Sequence, residues 1–173
     1  MKKFRIIALA FLAISFASCS SDDDTAADTS ASILGIWFGQ DVDYSGTTTT
    51  TVDGLPPVEA DFVGESIEEN FSLDFLESGE YISEGDYTLE LTTTVLGESQ
   101  TQTQTLEFLQ DGTWSREGDV LIATAEGRTQ EYDIEELTET TLIISTSLTE
   151  ELGDPDTGVS IITMLDIRAV FSR

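Results

Sequence analysis

Chemistry in this 173-residue chain has to come from carboxylates, phenols and hydroxyls. There is no histidine and one cysteine, against 34 aspartates and glutamates. Without imidazole there is no Ser-His-Asp triad, no histidine general base and no His-ligated zinc or copper, and one cysteine can form neither a thiolate cluster nor an intramolecular disulfide. Two carboxylates at a set separation could hydrolyse a glycoside. That reaction needs one acid in apolar surroundings, and no Asp or Glu here stands in an apolar run that would raise its pKa in the way a general acid needs. Calcium is the other inorganic option. Asp154-x-Asp156-x-Gly158 begins like an oxygen-ligand loop, but the twelfth position is Leu165 where an EF-hand needs a bidentate Glu, so the segment reads as a turn. The expectation is a protein that is not an enzyme and takes no cofactor or metal.

The elements around these residues are strands. Ser72–Leu91 and Thr105–Thr124 repeat at a spacing of thirty-three, with Leu73/Leu106, Phe75/Phe108, Leu76/Leu109, Gly79/Gly112, Glu84/Glu117, Gly85/Gly118 and Asp86/Asp119 coinciding. Each copy alternates apolar and polar residues at a period of two, and its glycines predict a strand, a tight turn at Gly79 or Asp111-Gly112, a second strand, another turn and a third strand. Two meanders would then form the middle of the molecule. Thr47–Thr51 suits an edge strand or a long hairpin, Leu55-Pro56-Pro57 breaks it, and Glu65–Asn70 is polar enough for a loop or helical turn. Thr92–Thr103 predicts a strand, a turn at Gly97 and a polar strand; Arg128–Ile134 and Thr140–Thr149 predict two more. In the last strand Val159, Ile161, Thr163, Leu165, Ile167, Ala169 and Phe171 share one face, while Ser160, Asp166, Arg168 and Ser172 share the other.

Residues 1–18 read as a targeting segment. Lys2, Lys3 and Arg5 precede the apolar run Ile6–Ala17, and Phe16-Ala17-Ser18-Cys19 closes it. This resembles a bacterial lipoprotein signal, in which the cysteine becomes the first residue and carries the acyl chains. The resemblance makes Cys19 the lipidation site and membrane anchor. Residues 19–32, with no large apolar side chain, would be an acidic tether, and residues 33–173 a single domain. The Ser-Asp-Asp-Asp run after Cys19 is similar to the export signal of surface lipoproteins of the Bacteroidota, which implies an outer-membrane, surface-exposed location; Asp24-Thr25-Ala26 fits that group's short O-glycosylation pattern.

The whole chain carries a formal charge of −27. After Cys19 four arginines face all 34 acids, which leaves −30. Such a surface repels phosphate backbones and sets nucleic acid aside; it reads as a solubility coat over strand exteriors.

Gly35-x-Trp37 opening the first strand, a meander after it and an arginine in the last strand together resemble the lipocalin-like lipoproteins of the Bacteroidota. The resemblance implies that Trp37 closes one barrel end and that Arg168 packs on it by cation–π contact. The fold class expected is all-β: an antiparallel up-and-down meander forming a lipocalin-like barrel of eight to ten strands, with a two-sheet sandwich as its competitor. An inward face including Phe75, Tyr81, Tyr87, Phe108, Trp114 and Tyr132 suits a small apolar ligand or a filled core. The expected function is a monomeric, lipid-anchored binder of a small apolar molecule in or at the mouth of the barrel, the alternative being a filled-barrel surface module for protein or glycan contact.

Overall fold

The computed structural model describes residues 29–154 and 158–173. The signal segment, Cys19, the first part of the tether including Asp24-Thr25-Ala26, and the centre of the Gly153–Gly158 turn lie outside the described residues.

The described chain is all-β. Nine strands occur in the order β1 (Gly35–Val52), β2 (Val58–Phe75), β3 (Glu80–Val95), β4 (Glu98–Leu106), β5 (Gly112–Glu117), β6 (Val120–Ala125), β7 (Arg128–Leu137), β8 (Thr141–Asp154) and β9 (Val159–Ser172). They form one antiparallel sheet, β2-β1-β9-β8-β7-β6-β5-β3-β4, and β2 also pairs with β3, so the sheet closes into a ring. One self-closing sheet is not the sandwich.

The ring has eight staves, because β4 and β5 share one. Leu106 pairs with Tyr87, and six positions further along both strands Gly112 pairs with Tyr81. The register is unbroken, and the ladder is interrupted only over residues 107–111, where the Asp111 carboxylate accepts the Ser83 N–H at 2.8 Å.

This arrangement corrects the reading of the repeat. Each copy contains one hairpin reversal, not two, and at a different glycine. In the first copy the chain turns at Gly79, while Gly85 lies within β3 opposite Phe71. In the second, Gly112 lies within a stave and the chain turns at Gly118 between β5 and β6. Gly85 keeps φ at +86°, and a Cβ there would come within 1.9 Å of the Asn70 carbonyl oxygen. Packing against β2 carries the strand straight through a sequence that resembles a turn.

One other expectation is corrected. Glu65–Asn70 continues β2 through an irregularity at Ser66/Glu68, since both neighbours offer ladders that outweigh a polar composition. Of the two alternatives for the threonine run, the long hairpin holds and the edge does not: the run lies in the β1–β2 hairpin, where Thr47 pairs with Asp61 on one side and Met164 on the other.

The core sits at the end of the ring near Ile33 and Phe171. Trp37, Leu73, Leu121, Leu137, Leu142 and Phe171 are fully buried, each contributing roughly 1.5–3 kcal/mol or more by the area it removes from water. At the other end β5, β6 and β7 stop. The hairpins β1–β2, β3–β4 and β8–β9 continue as an open six-stranded sheet in the order β4-β3-β2-β1-β9-β8.

Candidate functional site

The closed end is built on Trp37. Its indole Nε1 donates to the Ile33 carbonyl at 2.7 Å, and the guanidinium over its ring belongs to Arg173, 4.2 Å from the centroid. Arg168 is elsewhere, donating to Glu135 at 2.9 Å. Strand alternation explains the correction: Arg168 lies on the outward face of β9, whereas Arg173 is in phase with inward Ala169 and Phe171. The end of the expected tether also belongs to the fold. Arg116 donates to the Thr29 carbonyl at 2.6 Å, and Ala31 N–H bonds the Leu137 carbonyl at 3.4 Å.

The six aromatic residues expected to meet a ligand all lie in or against the core. Phe75, Tyr81, Tyr87 and Tyr132 are buried; Phe108 and Trp114 are half-buried. Phe75 contacts Trp114 edge-on at 5.4 Å between centroids and Tyr81 at 6.1 Å. Phe108 stacks on Phe71 at 5.2 Å and meets Phe171 at 5.4 Å. With Tyr87 packed on Phe71 at 5.5 Å, five of the six are joined by ring contacts of the kind that fill a core; Tyr132 is buried beside them.

All four tyrosines of the chain take part in the interior. The Tyr44 and Tyr87 hydroxyls are 2.5 Å apart. Burial, followed by that bond and the neighbouring phenols, pushes the Tyr87 hydroxyl well above the usual tyrosine range. Burial and then Tyr81 and Tyr44 do the same to Tyr132, and burial raises Tyr44. Tyr81 is raised by burial and by the Asp111 carboxylate. It is 1% exposed, and its hydroxyl has no hydrogen-bond partner among the described residues.

Tyr81 also lines a breach in the wall. β4 pairs with β3, and β6 pairs with β5 and β7, but no ladder joins β4 to β6 or β7 among the described residues. Where the ladder lapses, residues 107–111 leave an opening of about 340 Å³ lined by the apolar or aromatic Tyr81, Phe108, Leu109, Ala123 and Ala125 and by the polar Glu107, Gln110, Glu126, Arg128 and Gln130. Sequence reasoning missed Ala123 and Ala125. Their small size at alternate inward positions of β6 is the signal that could have marked the breach.

A second concavity, about 600 Å³, lies on the outside of the sheet around Asp43, Glu65, Asp133, Glu135 and Arg168. Asp43 is raised by partial burial and by Asp41 and Glu65, against the lowering effect of Arg168. Among the described residues no group of three or more carboxylates is placed to hold a metal ion.

No protein-family model, no curated protein and no solved structure matches this chain.

Proposed function

We propose that this chain is a non-enzymatic, lipid-anchored lipocalin-like protein of the outer-membrane surface that binds a small, mostly apolar molecule. The anchor rests on Cys19 and its signal. The binding reading rests on one observation: Tyr81, whose buried hydroxyl has no hydrogen-bond partner among the described residues, lines an opening together with Phe108, Leu109, Ala123 and Ala125. A buried hydroxyl left unbonded costs about 1–3 kcal/mol, and a ligand with one acceptor oxygen on an apolar body would relieve that cost while covering the breach. Entry is then through the wall between β4 and β6. The packed rings beneath it are the floor and not the ligand's seat.

The test is photolabelling of the full-length protein in its native membranes with a diazirine-bearing fatty acid, followed by peptide mapping. Label concentrated on residues 107–110 and 123–125, and reduced at least fivefold by Ala123→Trp, supports the reading. Label confined to other peptides, or unchanged by Ala123→Trp, overturns it in favour of a filled module for surface contacts.

A further inference from the structure

We propose that the free edge of β4 pairs with the same edge of a second copy of this chain, in antiparallel register about Gln102; this rests on the sheet alone and not on the ligand reading. β4 is the last strand of the sheet and is bonded through one edge, to β3. Its residues from Glu98 to Thr105 are exposed.

The turn before β4 fixes which backbone groups are free. Val95 pairs with Glu98 across a two-residue loop in which Leu96 and Gly97 both have positive φ, 52° and 85°. Such a loop closes on a hydrogen-bonded pair, so Glu98, Gln100, Gln102, Gln104 and Leu106 turn their N–H and C=O groups to β3 by the alternation of antiparallel ladders. Ser99, Thr101, Thr103 and Thr105 turn theirs outward. The hydroxyl contacts Thr94–Ser99 and Thr92–Thr101, both 2.8 Å, mark the closer, non-bonded pairs and fix the same phase.

Composition singles this edge out. The open sheet's other edge, the end of β8, carries Glu150 and Glu151, charges of the kind that block edge pairing. From Ser99 to Leu106 β4 has no charge, proline or glycine, in a chain that carries −30 after Cys19. Nothing on β4 blocks addition of a strand.

The sequence SQTQTQT is self-complementary about its centre. A two-fold axis at Gln102 sets Thr101 against the other copy's Thr103, and Ser99 against its Thr105, so that every outward backbone group is bonded. On one face Gln100 meets Gln104 and Gln102 meets Gln102; on the other Thr101 meets Thr103 and Ser99 meets Thr105. Glu98 falls opposite Leu106 and not opposite itself. The contact is isologous and closes at two chains. Because both copies are strongly acidic, the association must strengthen as salt screens them, the reverse of what a basic partner strand would show.

The full-length protein in detergent micelles tests this by oxidative cross-linking. Gln102 and its counterpart form a non-hydrogen-bonded pair, about 4.5 Å between Cα atoms, within disulfide range. Two Gln100 residues lie about four positions apart along the strands, roughly 13 Å. Gln102→Cys is expected to give a covalent dimer at least tenfold faster than Gln100→Cys. The rate should rise severalfold between 20 and 300 mM salt (roughly 20 and 6 Å Debye lengths), and Thr103→Pro in the same chain should abolish it. Mixing Gln102→Glu with Gln102→Lys should give a heterodimer that neither variant forms alone, which keeps the test independent of the proline variant's folding. Equal cross-linking at positions 100 and 102, or a rate that falls with salt, overturns the proposal.

Discussion

The guanidinium of Arg173 lies 4.2 Å from the Trp37 ring centroid while its Nη1 and Nη2 donate to the carbonyls of Leu34 at 2.8 Å and Ser32 at 3.1 Å. One side chain thereby ties the last residue of the chain to both the ring and the segment that closes the barrel end. A cation–π contact contributes about 0.5–2 kcal/mol, and each hydrogen bond from a charged donor about 1.5 kcal/mol or more when buried. Partial exposure reduces both, so Arg173→Ala should destabilise by about 2 kcal/mol. Arg168→Ala breaks a half-exposed pair with Glu135 and should cost under about 1 kcal/mol. Urea unfolding of the two variants, followed by tryptophan fluorescence, checks the ranking. An equal or larger loss at Arg168 would contradict it.

Gly85 and Gly118 occupy matching places in the sequence repeat and opposite situations in the fold. A Cβ at Gly85 would strike the backbone of Asn70 at 1.9 Å, whereas Gly118, at φ +63°, has nothing within 4 Å. Gly85→Ala should therefore cost about 3 kcal/mol or more, since positive φ and a backbone clash act together. Gly118→Asn should cost less than about 1 kcal/mol, because asparagine tolerates the left-handed region. Thermal unfolding of both variants measures the contrast.

That contrast also marks what the sequence could and could not convey. Alternation located β3 and β5 to β9 because one buried face imposes a period of two, and it identified Leu73, Phe75, Tyr81, Leu142 and Phe171 as inward. It could not distinguish a glycine that turns the chain from one that lets two strands approach, since both are the same residue in the same local pattern. Hence the hairpin expected at Asp111-Gly112 is one collinear stave. The resemblance points to Arg168 as the cation on Trp37, whereas the alternation of β9 puts Arg168 on the face opposite Ala169 and Phe171. The breach beside Tyr81 was illegible because it depends on which strands fail to pair.

Alkali should unfold the protein before it ionises the tyrosines. Burial raises Tyr44, Tyr81, Tyr87 and Tyr132 above the ordinary value near 10. Above pH 10 the unfolded chain releases phenolic protons that the folded chain keeps, so the folded state binds more protons and stability falls as pH rises. The stabilisation is complete below pH 10 and is lost progressively above it. Phenolate absorbance at 295 nm should rise together with loss of the far-ultraviolet strand signal. Phenolate appearing near pH 10 with that signal intact would show a tyrosine in contact with solvent.

Two phenols in one interior should respond oppositely to losing their hydroxyls. Tyr87 bonds Tyr44, so Tyr87→Phe leaves the Tyr44 hydroxyl without its partner and should destabilise by about 1 kcal/mol. Tyr81 has no partner among the described residues, so Tyr81→Phe removes a desolvated hydroxyl that gives nothing back and should stabilise the protein by about 1 kcal/mol. The same substitution should weaken photolabelling in the breach, because the ligand loses its hydrogen bond to the phenol. Stability and binding then move in opposite directions, which a residue serving only the core would not produce. If Tyr81→Phe instead destabilises the protein and leaves labelling unchanged, the hydroxyl belongs to the core and the breach is not a ligand site.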